Sequence, residues 1–311
     1  MLTKLLGRRS APPPSDAPTT DILRKVRKLE LRTRGFVESL FSGEYLSVFL
    51  GRGMEFSHVR GYQFGDDVRA IDWKVTARRG TPFVRQFVEE RDLLVALVVD
   101  VSASGRFGPG ERSAGEVAAE IASALAFAAT RSNDRLTLIL VTDRLELFRP
   151  PGSGRKHTIR ILADLLTHQP KGRGTDLAPA LEHCARALPG RATVFVISDF
   201  IQDRNQPSFQ GALGRAARAH DLIAVRLASA AADELPNVGW LEMTDPESGK
   251  RVVVDSGSRR VREHYRRSVQ MARTEMAALL TQHGVEMVEV DTAADPLAPL
   301  AEFFRRRATR R

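Results

Sequence analysis

The chain has 311 residues, 42% of them hydrophobic and 27% charged, with a formal net charge of +9 and a single cysteine, Cys184. That length buries a sizeable core and that balance is typical of globular proteins, which excludes a wholly disordered chain and a membrane-embedded one. One thiol excludes an intramolecular disulfide and a thiolate metal cage, and no apolar run reaches the length of a bilayer, so a cytoplasmic protein is expected.

Residues 1–20 read as a disordered leader: Met1 to Arg9 has no apolar stretch fit for a secretory signal, and Ser10 to Thr20 is rich in Pro, Ser, Thr and Ala. Residues 21–90 read as a helix followed by a β-rich extension. Ile22, Val26 and Leu29 recur at helical spacing between Asp21 and Arg34, and Phe83 to Val88 alternates as a half-buried strand does. The main domain is expected over 91–311. Leu93 to Val99 is a continuous apolar run suited to a strand covered on both faces, and Val117, Ile121, Leu125 and Ala128 then recur at helical steps. Leu136 to Val141 predicts the next buried strand and Leu145 to Phe148 an antiparallel edge. Helical patterns follow at Ile159 to Leu166, Leu177 to Leu188 and Ala212 to Ala219, with strands at Thr193 to Ile197 and Leu222 to Leu227. A hairpin insertion is expected near 236–256, then a long helix from Val261 to Leu279, a strand from Val285 to Val290 and a terminal helix holding Leu297, Leu300, Phe303 and Phe304. The alternation predicts an α/β fold, a mostly parallel Rossmann-like sheet with helices on both faces.

In open sheets of this kind ligands sit beyond the carboxyl ends of the strands. The first core strand ends in Asp100-Val101-Ser102-Ala103-Ser104, with an oxygen donor at every second position, and a later one ends in Ser198-Asp199. Between them Gly172-Arg173-Gly174-Thr175-Asp176 allows close approach and offers a hydroxyl. Asp100, Ser102, Ser104, Thr175 and Asp199 together supply the hard oxygens and the one or two carboxylates that magnesium takes, with manganese as the alternative. Two carboxylates leave no surplus negative charge, so the ion stays electrophilic toward an acidic group from outside.

The Asp-x-Ser-x-Ser motif, the Gly-Thr-Asp-Leu loop and the strand-end Asp resemble, in that order, the metal-ion-dependent adhesion site of von Willebrand factor A domains. Upstream, Gly51-Arg52-Gly53-Met54-Glu55-Phe56, Val59-Arg60, Tyr62, Gly65-Asp66-Asp67-Val68-Arg69, Ile71-Asp72-Trp73 and Thr76-Ala77-Arg78 resemble the hallmark of the domain-of-unknown-function 58 family, bacterial proteins built on that domain. The resemblance runs from about Gly35 to the terminal helix. It implies a von Willebrand factor A-like fold and a non-catalytic, cytoplasmic partner of a MoxR-type AAA+ ATPase, acting chaperone-like on a client protein whose acidic side chain completes the metal shell. Gly105 stands where such proteins often carry a bulkier residue.

Two other classes remain open from sequence. A metal-assisted hydrolase or phosphatase would use Asp100 or an activated water, but the second Asp of the haloacid-dehalogenase pattern is replaced by Ser102, and neither a Gly-x-Ser-x-Gly elbow nor a Walker A loop occurs. A nucleic-acid binder would use Arg24-Lys25-Val26-Arg27-Lys28 or the arginines at 305–307 and 310–311, yet neither cluster is interleaved with stacking aromatics. Asp66, Asp67, Asp72 and Glu89 could form a second acidic site. The simpler expectation is an acidic turn paired with Arg60, Arg69 and Arg78 in a buried network, and Cys184 is expected to be a packed helix residue.

Overall fold

The computed structural model describes residues 19–42, 55–63, 66, 71–88, 93–106, 112–201, 207–244 and 249–309. Residues 1–18 of the expected leader, Gly51 to Met54, Gly65, Asp67 to Arg69, Glu89 and the arginines at 310 and 311 lie outside these ranges.

The first helix, α1 (Thr20–Ser42), is far longer than the Asp21 to Arg34 pattern suggests. Its apolar stripe continues through Phe36, Val37 and Leu40, all buried. Gly35 does not stop it, because a helix-internal glycine costs only about 1 kcal/mol, less than three apolar side chains gain on burial. Strands β1 (Glu55–Gly61) and β2 (Phe83–Val88) then pair antiparallel. Between them in the chain lies α2 (Trp73–Arg79), a helix that periodicity did not reveal. Its start is fixed by Asp72, whose carboxylate accepts the N–H groups of Lys74 and Val75 at 3.0 and 3.2 Å, and its end by Gly80 at φ 72°. The expected acidic network is therefore divided. Asp66 takes a two-pronged contact from Arg60 at 2.8 Å, but the two side chains are 19% and 35% exposed, while Asp72 is a cap and Arg78 faces solvent.

Six strands form the central sheet: β3 (Leu94–Asp100), β4 (Arg135–Val141), β5 (Leu145–Gly152), β6 (Ala192–Ser198), β7 (Asp221–Ala228) and β10 (Glu286–Asp291). Their spatial order is β10-β7-β6-β3-β4-β5, parallel throughout except for β5 against β4. Alternate residues of β3 face opposite cores. Val95, Leu97 and Val99 join α1, α3 (Ala114–Arg131), α4 (Gly154–Thr167) and α9 (Leu297–Thr309); Leu94, Ala96 and Val98 join α5 (Ala178–Ala187), α6 (Pro207–Ala219) and the end of α8 (Arg259–Gln282). Continuous apolar strands are what a sheet buried on both faces requires, and the architecture is the expected α/β fold, a mostly parallel sheet with helices on both faces. Cys184 is fully buried on the second face, where burial pushes its thiol up to about 12, so it packs rather than reacts.

After β7 the chain passes through a short helix, α7 (Ala230–Asp233), and the hairpin of β8 (Trp240–Thr244) and β9 (Arg251–Asp255). It then returns along α8 to the amino end of β10. Twenty-four helical residues span about 36 Å, against about 20 Å for a six-residue strand. The beginning of α8 therefore overshoots the sheet at its carboxyl end, which is why only Met276 and Leu280, near the far end, are buried.

Candidate metal centre

The connection from β3 runs to β4 on one side, and that from β6 runs to β7 on the other, so the crevice at a strand-order reversal opens at the carboxyl ends of β3 and β6. Val99 pairs with Ile197, which sets Asp100 level with Ser198. The buried Ser198 hydroxyl donates to Asp100 Oδ2 at 2.7 Å and accepts the Phe200 N–H at 3.0 Å. The other carboxylate oxygen, Oδ1, accepts the Ser102 N–H at 2.9 Å, which curls the loop so that the Ser102 and Ser104 hydroxyls lie 3.0 Å apart. The Ala103 N–H then bonds to the Arg173 carbonyl at 3.1 Å, drawing the 172–176 loop onto the same edge. Asp199 is half-buried and accepts the Ile201 N–H at 2.9 Å; Thr175 is half-buried in the 172–176 loop. All five sequence-chosen residues thus belong to three loops that meet at one end of the sheet. Asp176, beside them, accepts the Ala178 N–H at 2.9 Å and serves the start of α5.

Burial pushes the Asp100 carboxyl above the usual carboxylate range, against the opposing pull of the bonds from Ser198 and Ser102. A carboxylate that is costly to ionise and is flanked by two hydroxyls on its own loop fits a hard divalent cation, whose charge would offset that cost. Among the described residues no group of three or more His, Cys, Asp or Glu is arranged to hold a metal ion. A cation here would rest on two carboxylates and hydroxyls, a donor set for magnesium or manganese rather than zinc.

The supports of the site were not legible in advance. Glu146, on β5 with its side chain 2% exposed, accepts the N–H groups of Gly172 at 2.6 Å and Lys171 at 3.1 Å, and the Thr142 hydroxyl at 2.8 Å. Burial alone would raise its pKa, but these bonds, joined by His168, outweigh it and hold the carboxyl at about 2. Gly172 is required for this seat, since a Cβ there would overlap Thr142 Oγ1 and Asp143 Oδ1. Phe200 is buried at φ 57°, a left-handed conformation that costs a bulky residue about 1–2 kcal/mol and that aims the chain away directly after Asp199. A Gly or Asn would have signalled this turn; phenylalanine does not. Around the crevice Lys171 and Arg173 are exposed, and Ile201 is 70% exposed.

A family model described as "Protein of unknown function DUF58" matches residues 58–275. An uncharacterized protein of Mycobacterium tuberculosis is 31% identical over 286 residues, covering 91% of this chain and 88% of its own. Among solved structures, an aerotolerance-related membrane protein from Bacteroides fragilis has 15% identity and a TM-score of 0.47, covering 70% of this chain and 100% of that one. The conserved hypothetical protein BatB from Bacteroides thetaiotaomicron has 14% identity and a TM-score of 0.43, covering 70% and 99%. No helix among the described residues is long and apolar enough to cross a membrane.

Proposed function

This chain belongs to the DUF58 family, and on that premise we propose that it is a metal-dependent protein-interaction module of the cytoplasm, without catalysis of its own. In this reading it serves as adaptor or co-chaperone of a MoxR-type AAA+ ATPase in the assembly or maturation of other complexes. The observation that carries the reading is the meeting of Asp100, Ser102 and Ser104 with the Ser198-Asp199 and 172–176 loops at the strand-order reversal. Asp100, Ser102, Ser104, Thr175 and Asp199 would hold magnesium or manganese, and the bound ion would supply an electrophilic position for a carboxylate of the client. The surroundings favour that partner. Lys171 and Arg173 gain nothing from a nearby dication and would attract an acidic surface, while Ile201 offers apolar contact beside it.

The test is capture of the ATPase and its client from extract by wild type and by Asp100→Ala, each with magnesium and with chelator. Capture by wild type that needs magnesium and is lost in the variant supports the reading. Equal capture in all arms removes the ion from the mechanism, and magnesium-dependent turnover of a generic phosphoester, abolished in Asp100→Asn, would replace the adaptor by a hydrolase.

A further inference from the structure

The hairpin of β8 and β9 forms a two-stranded sheet of its own. Exposed apolar side chains gather on it: Trp240 is 76% exposed, Val253 61% and Val252 55%, with Val238 just ahead of β8. A short ribbon with open edges and apolar surface in water is a template for another strand.

Backbone parity shows which strand it would accept. Ser256 donates its N–H to the Gly239 carbonyl at 2.7 Å, so Val254 and Val252, at the same parity, turn their backbone groups toward β8. Arg251, Val253 and Asp255 turn theirs outward. This outward set complements its own reverse. Laid antiparallel on a second copy about Val253, Arg251 faces Asp255 of the second copy, Val253 faces its equivalent, and Asp255 faces Arg251. Strand β8 has the contrary property: its outward residues Trp240, Glu242 and Thr244, overlapped in the same way, would oppose one Glu242 to the other.

We propose that β9 is a self-association edge through which two copies of this chain build a twofold four-stranded sheet in the order β8-β9-β9-β8. The arrangement is isologous, so it closes after two copies. One face of the joined sheet carries Leu241, Met243, Val252 and Val254 of both chains, with no charged side chain among them. The other face has the two Val253 side chains at its centre, flanked by the Arg251 and Asp255 pairs. Only one strand of each copy is engaged, so the dimer is weak and depends on concentration.

The experiment is sedimentation velocity of the full chain over a concentration series, on wild type, Arg251→Asp, Asp255→Arg, the double exchange and Val253→Lys. Wild type is expected to shift from monomer toward dimer as concentration rises. Each single exchange opposes like charges twice and is expected to weaken association at least tenfold, and Val253→Lys to abolish it. The double exchange recreates opposite pairs and is expected to restore association, although it still lacks the Arg251 contact to Glu242 and the Asp255 contact to the Gly257 N–H. Far-ultraviolet dichroism and thermal melts separate lost association from lost folding. A wild type that stays monomeric up to its solubility limit, a dimer indifferent to the exchanges, or a double exchange no better than the singles overturns the proposal.

Discussion

Glu146 shows how a side chain away from the oxygen cluster can govern its shape. It holds the backbone of Lys171 and Gly172, and so fixes where the Gly174-Thr175 segment begins. Its folded pKa, about 2, lies below the ordinary 4.5, so its contribution to stability is complete above about pH 4.5 and is lost as the pH falls toward 2. Acid titration of the wild type, followed by dichroism, is expected to show a loss of stability across that window. Glu146→Gln should show a shallower loss, starting from a protein about 2 kcal/mol less stable at neutral pH because buried N–H donors are left without their charged acceptor. The five candidate oxygens could be picked from the sequence because each stands just past an apolar run or directly after a glycine. Glu146 was not, because a carboxylate in the alternating edge strand Leu145-Glu146-Leu147 reads as a solvated residue until the fold lays the 171–172 turn over it.

At the scale of elements, the period of the apolar residues disclosed nearly every core strand and helix, since each has one partner face or two. Where capping and turn geometry decided the outcome, the period was silent. Helix α2 depends on Asp72 and Gly80 and has no buried residue to mark it, whereas α1 runs on past the Asp21 to Arg34 pattern because Phe36, Val37 and Leu40 are buried as well. The 172–176 loop is another such element. Gly172→Ala would drive a methyl into Thr142 and Asp143, and overpacking of this kind costs about 1–3 kcal/mol. The expected result is a chemically denatured midpoint lowered accordingly. If the site reading holds, there is also a loss of manganese affinity larger than that caused by an alanine at the exposed Arg173. Equal affinities in the two variants would separate the loop from the ion.

Across the whole molecule, α1 is a structural member and not an appendage. Phe36 lies 6.5 Å from Phe304 of α9 between ring centres, and Arg155 of α4 grips Glu30 at 2.7 and 2.9 Å, so one helix ties two others. Phe36→Ala is expected to cost about 3 kcal/mol in urea unfolding, the lower end of the range for a core phenylalanine because the ring keeps a little exposure. Arg307 performs the same service at the opposite end, joining α9 to Asp221 of β7 and Glu286 of β10 at 2.6 and 3.2 Å. Arg307→Ala should lower stability by about 1–3 kcal/mol at low salt, measured by the same unfolding curves.

The overshoot of α8 places the β8–β9 insertion beyond the same sheet end that carries the oxygen donors. Two chains linked there would hold their crevices as a tethered pair, and a client with two acidic segments would meet the second at a high local concentration once the first is seated. Individually feeble grips would then add up to long-lived capture, released whenever the protein is diluted, so that abundance in the cell sets the affinity.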